Sequence, residues 1–148
     1  GIAAKLSTCL SPTATGAHSC IGTGWTPQAG IMLHTLVPAL GTYYTTSENN
    51  ESYGISAFTA SSASSSSIAD DDGVTAANTE SMTDSKPVRL RKDAADYMTA
   101  TVTGFQPNGV DFNYTATNAT ARYRALLLFQ STSTPTSSSR PRGRLLLP

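Results

Sequence analysis

Residues 96–115, which read DYMTATVTGFQPNGVDFNYT, decide the fold of this chain. Apolar and polar side chains alternate on both sides of a central turn, and a period of two residues is typical of β-strands. Pro107 presets φ for a turn, and Asn108 and Gly109 accept positive φ, so the two runs are predicted to form a β-hairpin. The returning strand is predicted to present three side chains on one face: Val110, Phe112 and Tyr114.

The rest of the chain repeats this pattern of short strands separated by turn residues. No helix of normal length is indicated by an apolar period of 3.6 residues. The many short strands favour a β-sandwich or a barrel. Of the two we predict the sandwich: an all-β, antiparallel fold of about six to eight short strands with a jelly-roll or similar topology. Besides the hairpin, the predicted strands cover residues 4–10, 17–23, 30–37, 52–60 and 122–130.

Two of these strands have a strongly apolar sequence. Residues 30–37 read GIMLHTLV, which is typical of a central strand buried on both faces of a sheet. Residues 122–130 read RYRALLLFQ and predict a second central strand. By contrast, the serine run at 61–67 predicts a flexible loop or a weak edge strand, and residues 74–93 are predicted to hold one short strand.

The two cysteines, Cys9 and Cys20, flank a turn at residues 12–16 almost symmetrically. If residues 17–23 return as the second strand of a hairpin, with Ile21 facing the core, the cysteines lie opposite each other and a disulfide can form. Two reduced thiols are the other interpretation. We favour the thiols, because a protein assembled in the cytosol keeps its cysteines reduced.

The composition fits one domain without a strong charge. The chain has 148 residues, 39% of them hydrophobic, and ten basic side chains balance ten acidic ones. A chain of this length can bury a sizeable core. Its neutral balance predicts neither nucleic acid nor an anionic membrane as a partner, and no run of about 18 apolar residues predicts a transmembrane helix.

The C-terminal segment differs in composition from the rest. Residues 131–139 are serine, threonine and proline only; three arginines follow within residues 140–144, and the last four residues are apolar. We predict a β-sandwich domain over residues 1–130 and an extended arm over residues 131–148. Each leucine of the arm would contribute about 1.5–3 kcal/mol if it docked on a neighbouring copy; the alternative is a frayed tail. The candidate inter-subunit residues are Arg140, Arg142, Arg144, Leu145, Leu146 and Leu147.

The sequence offers few groups for catalysis or metal binding. His34 lies in an apolar strand and is predicted to be a hydrogen-bonded core or interface residue, and the chain has no Gly-x-Ser-x-Gly motif. Residues 70–72 are three aspartates without the ligand spacing of an EF-hand, so they predict a solvated loop. Two cysteines and two distant histidines do not predict a zinc site. We therefore predict no catalytic residue, no metal and no cofactor.

Three aromatic residues in predicted loops are candidates for contact with a partner or a glycan: Trp25, Tyr43 and Tyr44. Aromatic rings stack on sugar rings and also anchor protein interfaces. Trp25 has a second interpretation, as a residue that packs in a turn beside Pro27.

Several short motifs follow one another along residues 4–130. They are GWTPQA at 24–29, YGISAF at 53–58, DDG at 71–73, VTGF at 102–105 leading to GVDFNY at 109–114, and a closing strand at 123–129. In this order they resemble a group of phage and prophage virion proteins that look like H-type lectin modules. The resemblance implies a six- to eight-stranded β-sandwich, often trimeric, that decorates the head or forms a tail-tip module. It carries over no catalytic and no sugar-binding residue.

These features favour a non-enzymatic capsid decoration or cement protein, located on the capsid surface or the tail of a virion. The expected partners are the major capsid protein or other virion proteins and further copies of the chain, with a trimer favoured. Weak contacts to several neighbours would then add up through effective concentration. The alternatives are a carbohydrate-binding tail or fibre module, then a secreted or pilus-like adhesin, with a hydrolase last.

Overall fold

The computed structural model is a sandwich of two antiparallel β-sheets, which confirms the predicted fold class. The structure describes residues 1–35, 50–71, 78–92 and 95–132. These residues form ten strands and no helix. The strands are β1 (Ile2–Leu10), β2 (Gly16–Ile21), β3 (Ala29–Thr35), β4 (Asn50–Thr59), β5 (Ala63–Asp71), β6 (Asn78–Asp84), β7 (Val88–Lys92), β8 (Ala95–Gln106), β9 (Gly109–Ala116) and β10 (Tyr123–Ser131).

The chain distributes these strands unequally between the sheets. The six-stranded sheet has the order β1-β10-β3-β4-β5-β6, and the four-stranded sheet has the order β2-β9-β8-β7. Because β10 lies between β1 and β3, and β3 lies between β10 and β4, both predicted central strands are confirmed in their position. The last described residue, Thr132, exchanges backbone hydrogen bonds with Gly1 at the end of the β1–β10 pair.

The hairpin over residues 96–115 is confirmed and forms the centre of the four-stranded sheet. Gln106 pairs with Gly109 across the turn, and Asn108 adopts the predicted positive φ of 95°. A Cβ atom on Gly109 would lie 2.1 Å from the carbonyl oxygen of Cys20, so the close approach of β2 also requires glycine here. The inward face of β9 carries Val110, Phe112 and Tyr114, all of them buried as predicted.

The core lies between the two sheets and joins aromatic and aliphatic side chains from both. The Phe58 ring of the six-stranded sheet stacks on Phe105, with centroids 6.2 Å apart, and meets Phe112 edge-on at 5.7 Å. Such aromatic pairs add to the stabilisation that burial of their apolar area provides. The other buried apolar side chains of the core are Cys20, Met32, Val88, Leu90, Met98, Ala100, Val110, Tyr114, Leu126 and Leu128.

The predicted hairpin of the first two strands is wrong, because β1 and β2 belong to different sheets. β1 pairs with β10, whereas β2 pairs with β9. Cys20 is therefore the inward residue of β2, and Ile21 is exposed instead of facing the core. The preference for reduced thiols is also contradicted: Cys9 and Cys20 form a disulfide with their Cα atoms 5.6 Å apart. This bond joins one edge of the six-stranded sheet to one edge of the four-stranded sheet.

The serine run at 61–67 belongs largely to a regular strand. β5 pairs with β4 on one side and with β6 on the other. A run of serines can form such a strand because the hydrogen bonds between strands use backbone groups and are independent of side-chain size. Residues 74–93 contain two strands, β6 and β7, where one was predicted. These two differences account for strands beyond the predicted six to eight.

Candidate functional site: the outer face of the six-stranded sheet

The prediction that β3 is buried on both faces is wrong, and its failure reveals the most unusual surface of the molecule. Met32 and His34 point inward and are fully buried, but Ile31 and Leu33 point outward and are exposed. A two-layer sandwich covers each sheet on one side only, so the second apolar side of β3 lies on the surface.

The outward residues of the neighbouring strands extend this surface sideways. One row across the sheet joins Leu6, Leu127, Ile31 and Ala57 through directly paired positions. The next row joins Thr8, Ala125, Leu33 and Ile55 in the same way. Leu6 is 67% exposed, Leu33 53% and Ile55 51%. We call this surface the apolar face and define it by six exposed side chains: Leu6, Ile31, Leu33, Tyr53, Ile55 and Leu127.

The described surroundings of the apolar face are uncharged and largely polar. Among the outward positions of the six-stranded sheet whose side chains the structure describes, none is acidic or basic. The hydroxyl residues at its margin are Thr8, Thr59, Ser64, Ser66, Ser81 and Thr83. An apolar centre with a polar, solvent-accessible rim is the usual anatomy of a protein–protein interface.

A shallow groove marks one end of the apolar face. It has a volume of about 380 Å³ and is lined in part by Ile31, Ala57 and Phe129, with Ser64 at its edge. The groove is mostly apolar and open to solvent, so it favours a protruding apolar group of a partner and offers no set of converging polar groups for a small ligand.

The outer face of the four-stranded sheet has the opposite character. Asp111 lies near its centre and accepts hydrogen bonds from Ser19 at 2.5 Å and from Gln106 at 2.7 Å. Asn113 is the next outward residue of β9, and Thr101 of β8 pairs with it. Ile21 is the one exposed large apolar side chain at the described positions of this sheet. The two outer surfaces of one sandwich therefore differ sharply in polarity.

Polar groups are buried on the inner side of the six-stranded sheet. Arg124 on β10 is 1% exposed, and its guanidinium carbon lies 4.9 Å from the centroid of the Tyr114 ring. Its Nε and Nη1 atoms have no hydrogen-bond partner, and among the described residues no carboxylate forms an ion pair with it. Burial lowers the pKa of Arg124 to about 9, because a low-dielectric environment disfavours the charged form.

His34 is the inward residue of β3 that pairs with Arg124. Burial, and after it the charge of Arg124, lower the pKa of His34 to about 3, so its ring is neutral at neutral pH. The core position is confirmed, but the predicted hydrogen bonds are not, since both ring nitrogens lack a partner. The ring packs closely against β4, since a Cβ atom on Gly54 would lie 2.3 Å from Nε2. No described serine or carboxylate is placed on this ring as in a catalytic triad.

The structure describes one of the three predicted aromatic contact residues. Trp25 is partly buried and packs against the core, and its carbonyl oxygen accepts hydrogen bonds from the Thr23 hydroxyl and the Asn108 amide. This arrangement fits the alternative of a packed turn residue. Tyr43 and Tyr44 lie outside the described residues. So do the predicted inter-subunit residues of the arm, Arg140, Arg142, Arg144, Leu145, Leu146 and Leu147.

Comparisons with family models, with curated proteins and with solved structures found no match for this chain. The described part of the chain holds no cluster of three or more His, Cys, Asp or Glu residues that could bind a metal ion. Nor does that part contain a helix long and apolar enough to cross a membrane.

Sequence reasoning missed the apolar face, although a signal for it was present. A strand with apolar residues on both sides needs a cover on both sides. The sequence predicts no helix that could form a third layer, so the second cover of β3 had to come from elsewhere. The combination of a doubly apolar strand with a two-layer fold could have identified this surface.

Proposed function

We propose that the chain is a non-enzymatic structural module of a larger protein assembly, and specifically a capsid decoration or cement protein of a phage-type virion. The observation that supports this function is the apolar face. Six exposed apolar side chains on one sheet are unfavourable in water, and contiguous surfaces of this kind mark sites of protein interaction.

Two further observations support a structural role over a catalytic one. The ring nitrogens of the buried His34 form no hydrogen bond to a nucleophile or a carboxylate among the described residues. The ten-stranded sandwich presents the apolar face on regular strands instead of on loops. A rigid surface loses little conformational entropy when it is covered, which favours stable association.

The assignment to a virion rests on the motif order described for residues 4–130 and on the neutral charge of the chain. Copies without net charge repel one another little, so they can pack densely on a symmetric shell. In this proposal the sandwich bridges shell subunits, and many weak contacts add up to stable attachment.

The test is the copy number and position of the protein in purified particles, by quantitative mass spectrometry combined with electron cryo-microscopy. Hundreds of copies on the shell are expected for a decoration protein. A few dozen copies at the tail would favour a receptor-binding module and direct attention to Tyr43 and Tyr44. Absence from every particle would overturn the virion assignment.

A further inference from the structure

We propose that the apolar face is covered by the same face of a second copy, so that the assembling unit is a two-fold pair of sandwiches. This inference rests on the proposed function, because both require that another protein surface covers the apolar face. It adds that the covering surface is a second copy of the chain. The arrangement places two six-stranded sheets against each other and buries Ile31 and Leu33 of each copy near the shared axis.

The sequence of β3 supports such a second layer. Residues 30–33 are apolar without interruption, and the sandwich itself covers only Gly30 and Met32. Strands of this composition are normally buried on both faces. Stacked sheets pack about 10 Å apart with interdigitating side chains, and a third β-layer would give Ile31 and Leu33 the environment that their sequence indicates.

The size of the face distinguishes between a second copy and the C-terminal arm. The apolar face lies on four strands, and with the hydroxyl rim on β5 the surface covers five strands. Five strands about 4.8 Å apart, over about six residues of about 3.4 Å each, span roughly 500 Å². Two such faces bury about 1,000 Å², the lower limit for a specific interface. Three leucine side chains that contribute about 1.5–3 kcal/mol each correspond to roughly 200–350 Å² of buried apolar area, at about 25 cal/mol per Å². The leucines at 145–147 would therefore leave much of the face in water, whereas a second copy covers all of it.

The chemistry of the rim also fits self-association. A two-fold interface brings a surface against its own copy, so any charge on it would face a like charge. At the outward positions whose side chains the structure describes there is no charge, and the rim there consists of hydroxyl groups such as those of Thr8, Thr59 and Ser66. A hydroxyl both donates and accepts hydrogen bonds, so a hydroxyl rim is complementary to itself.

Sedimentation velocity of the full chain across micromolar concentrations tests this inference. The wild-type chain is expected to form dimers, and Leu33→Glu is expected to weaken the dimer at least about 100-fold, because each interface then holds two uncompensated carboxylates. Leu33→Thr, which suits a strand and adds no charge, is expected to weaken the dimer less, and circular dichroism checks that both variants fold. Asn113→Glu on the other sheet is the matched control and is expected to leave the dimer unchanged.

The remaining outcomes separate the pairing from the proposed function. A wild-type chain that stays monomeric, or a dimer that survives Leu33→Glu, overturns the pairing. A dimer that is lost with Leu145→Glu and Leu147→Glu but not with Leu33→Glu assigns the contact to the arm and also overturns it. A monomer found in hundreds of copies per particle would refute only the pairing. A dimer that depends on Leu33 but is absent from particles would refute only the virion function.

Discussion

On β3, the inner face of the six-stranded sheet carries His34 and the outer face carries Leu33, one residue away. The inner side thus buries a histidine beside an arginine, while the outer side exposes leucine and isoleucine. Folded proteins in water normally bury apolar side chains and expose charged ones, because apolar burial stabilises a fold and burial of a charge destabilises it. Different residues of the same strands therefore determine the stability of the single sandwich and the character of its exposed surface.

The largest expected effect contrasts two aromatic residues of β4. Phe58 is buried against Phe105 and Phe112, whereas Tyr53 is exposed on the outer face. Phe58→Ala is expected to lower the free energy of unfolding by about 3–5 kcal/mol, because it leaves a cavity in the core. Tyr53→Ala, the control on the same strand, should lower it by less than about 1 kcal/mol. Urea unfolding at low protein concentration measures both, and equal losses would contradict the assignment of inner and outer faces.

The next effect concerns the buried charge. Arg124→Met is expected to raise the free energy of unfolding by about 1–3 kcal/mol, since methionine fills a similar volume and removes two buried guanidinium nitrogens, Nε and Nη1, that have no hydrogen-bond partner. The control is Arg89→Met, which removes an ion pair with Asp84 near the surface and should cost about 1 kcal/mol or less. A clear loss of stability in Arg124→Met would show that the contacts of the guanidinium with the Tyr114 ring and with Met98 Sδ outweigh the cost of its burial. Thermal unfolding of the two variants beside the wild-type chain decides this.

The third effect is a pH dependence that arises from His34. Its pKa is about 3 in the folded chain and near the ordinary value of 6.5 in the unfolded chain. Between these values the unfolded state binds the extra proton, so stability is full above pH 6.5 and falls as the pH is lowered towards 3. The slope reaches about 1.4 kcal/mol per pH unit. His34→Gln is expected to remove this part of the acid sensitivity, while His18→Gln should retain it. If the free energy of unfolding varied with pH in the same way in the wild-type chain and in both variants, the assignment of this acid sensitivity to His34 would be contradicted.

The parts of the fold that the sequence predicted are those in which local pattern and turn chemistry agree. The β8–β9 hairpin has alternating faces and a Pro-Asn-Gly turn, and both features are local. The fold class follows from the many short strands. The partner of β2 was not predictable in this way, because the turn at 12–16 suits a hairpin and a crossover between sheets equally well. Pairing with β9 depends on contacts almost a hundred residues away.

The candidate site was less predictable than the fold for a related reason. An apolar run shows that a strand is covered, but not whether the cover is the same chain or another one. The strand position of residues 30–35 was therefore correct, and the expected burial of Ile31 and Leu33 was not. The aromatic residue Trp25 attracted attention by its chemistry, yet it serves the turn before β3. Exposed aliphatic side chains carry no such chemical signature, and the only sequence signal for them was a doubly apolar strand in a fold without a third layer.

The smallest expected effect is the most specific test of the comparison. In the monomer, Leu33→Thr is expected to change the free energy of unfolding by no more than about 0.5 kcal/mol, because the leucine packs against no second layer and threonine suits a strand. Met32→Thr on the inner side of the same strand should cost about 2–5 kcal/mol. Chemical unfolding below the concentration of association measures the intrinsic values. If Leu33→Thr were as destabilising as Met32→Thr at high dilution, the outer side of β3 would already be covered within one chain. A loss that grows with protein concentration would instead show that a second molecule supplies the cover.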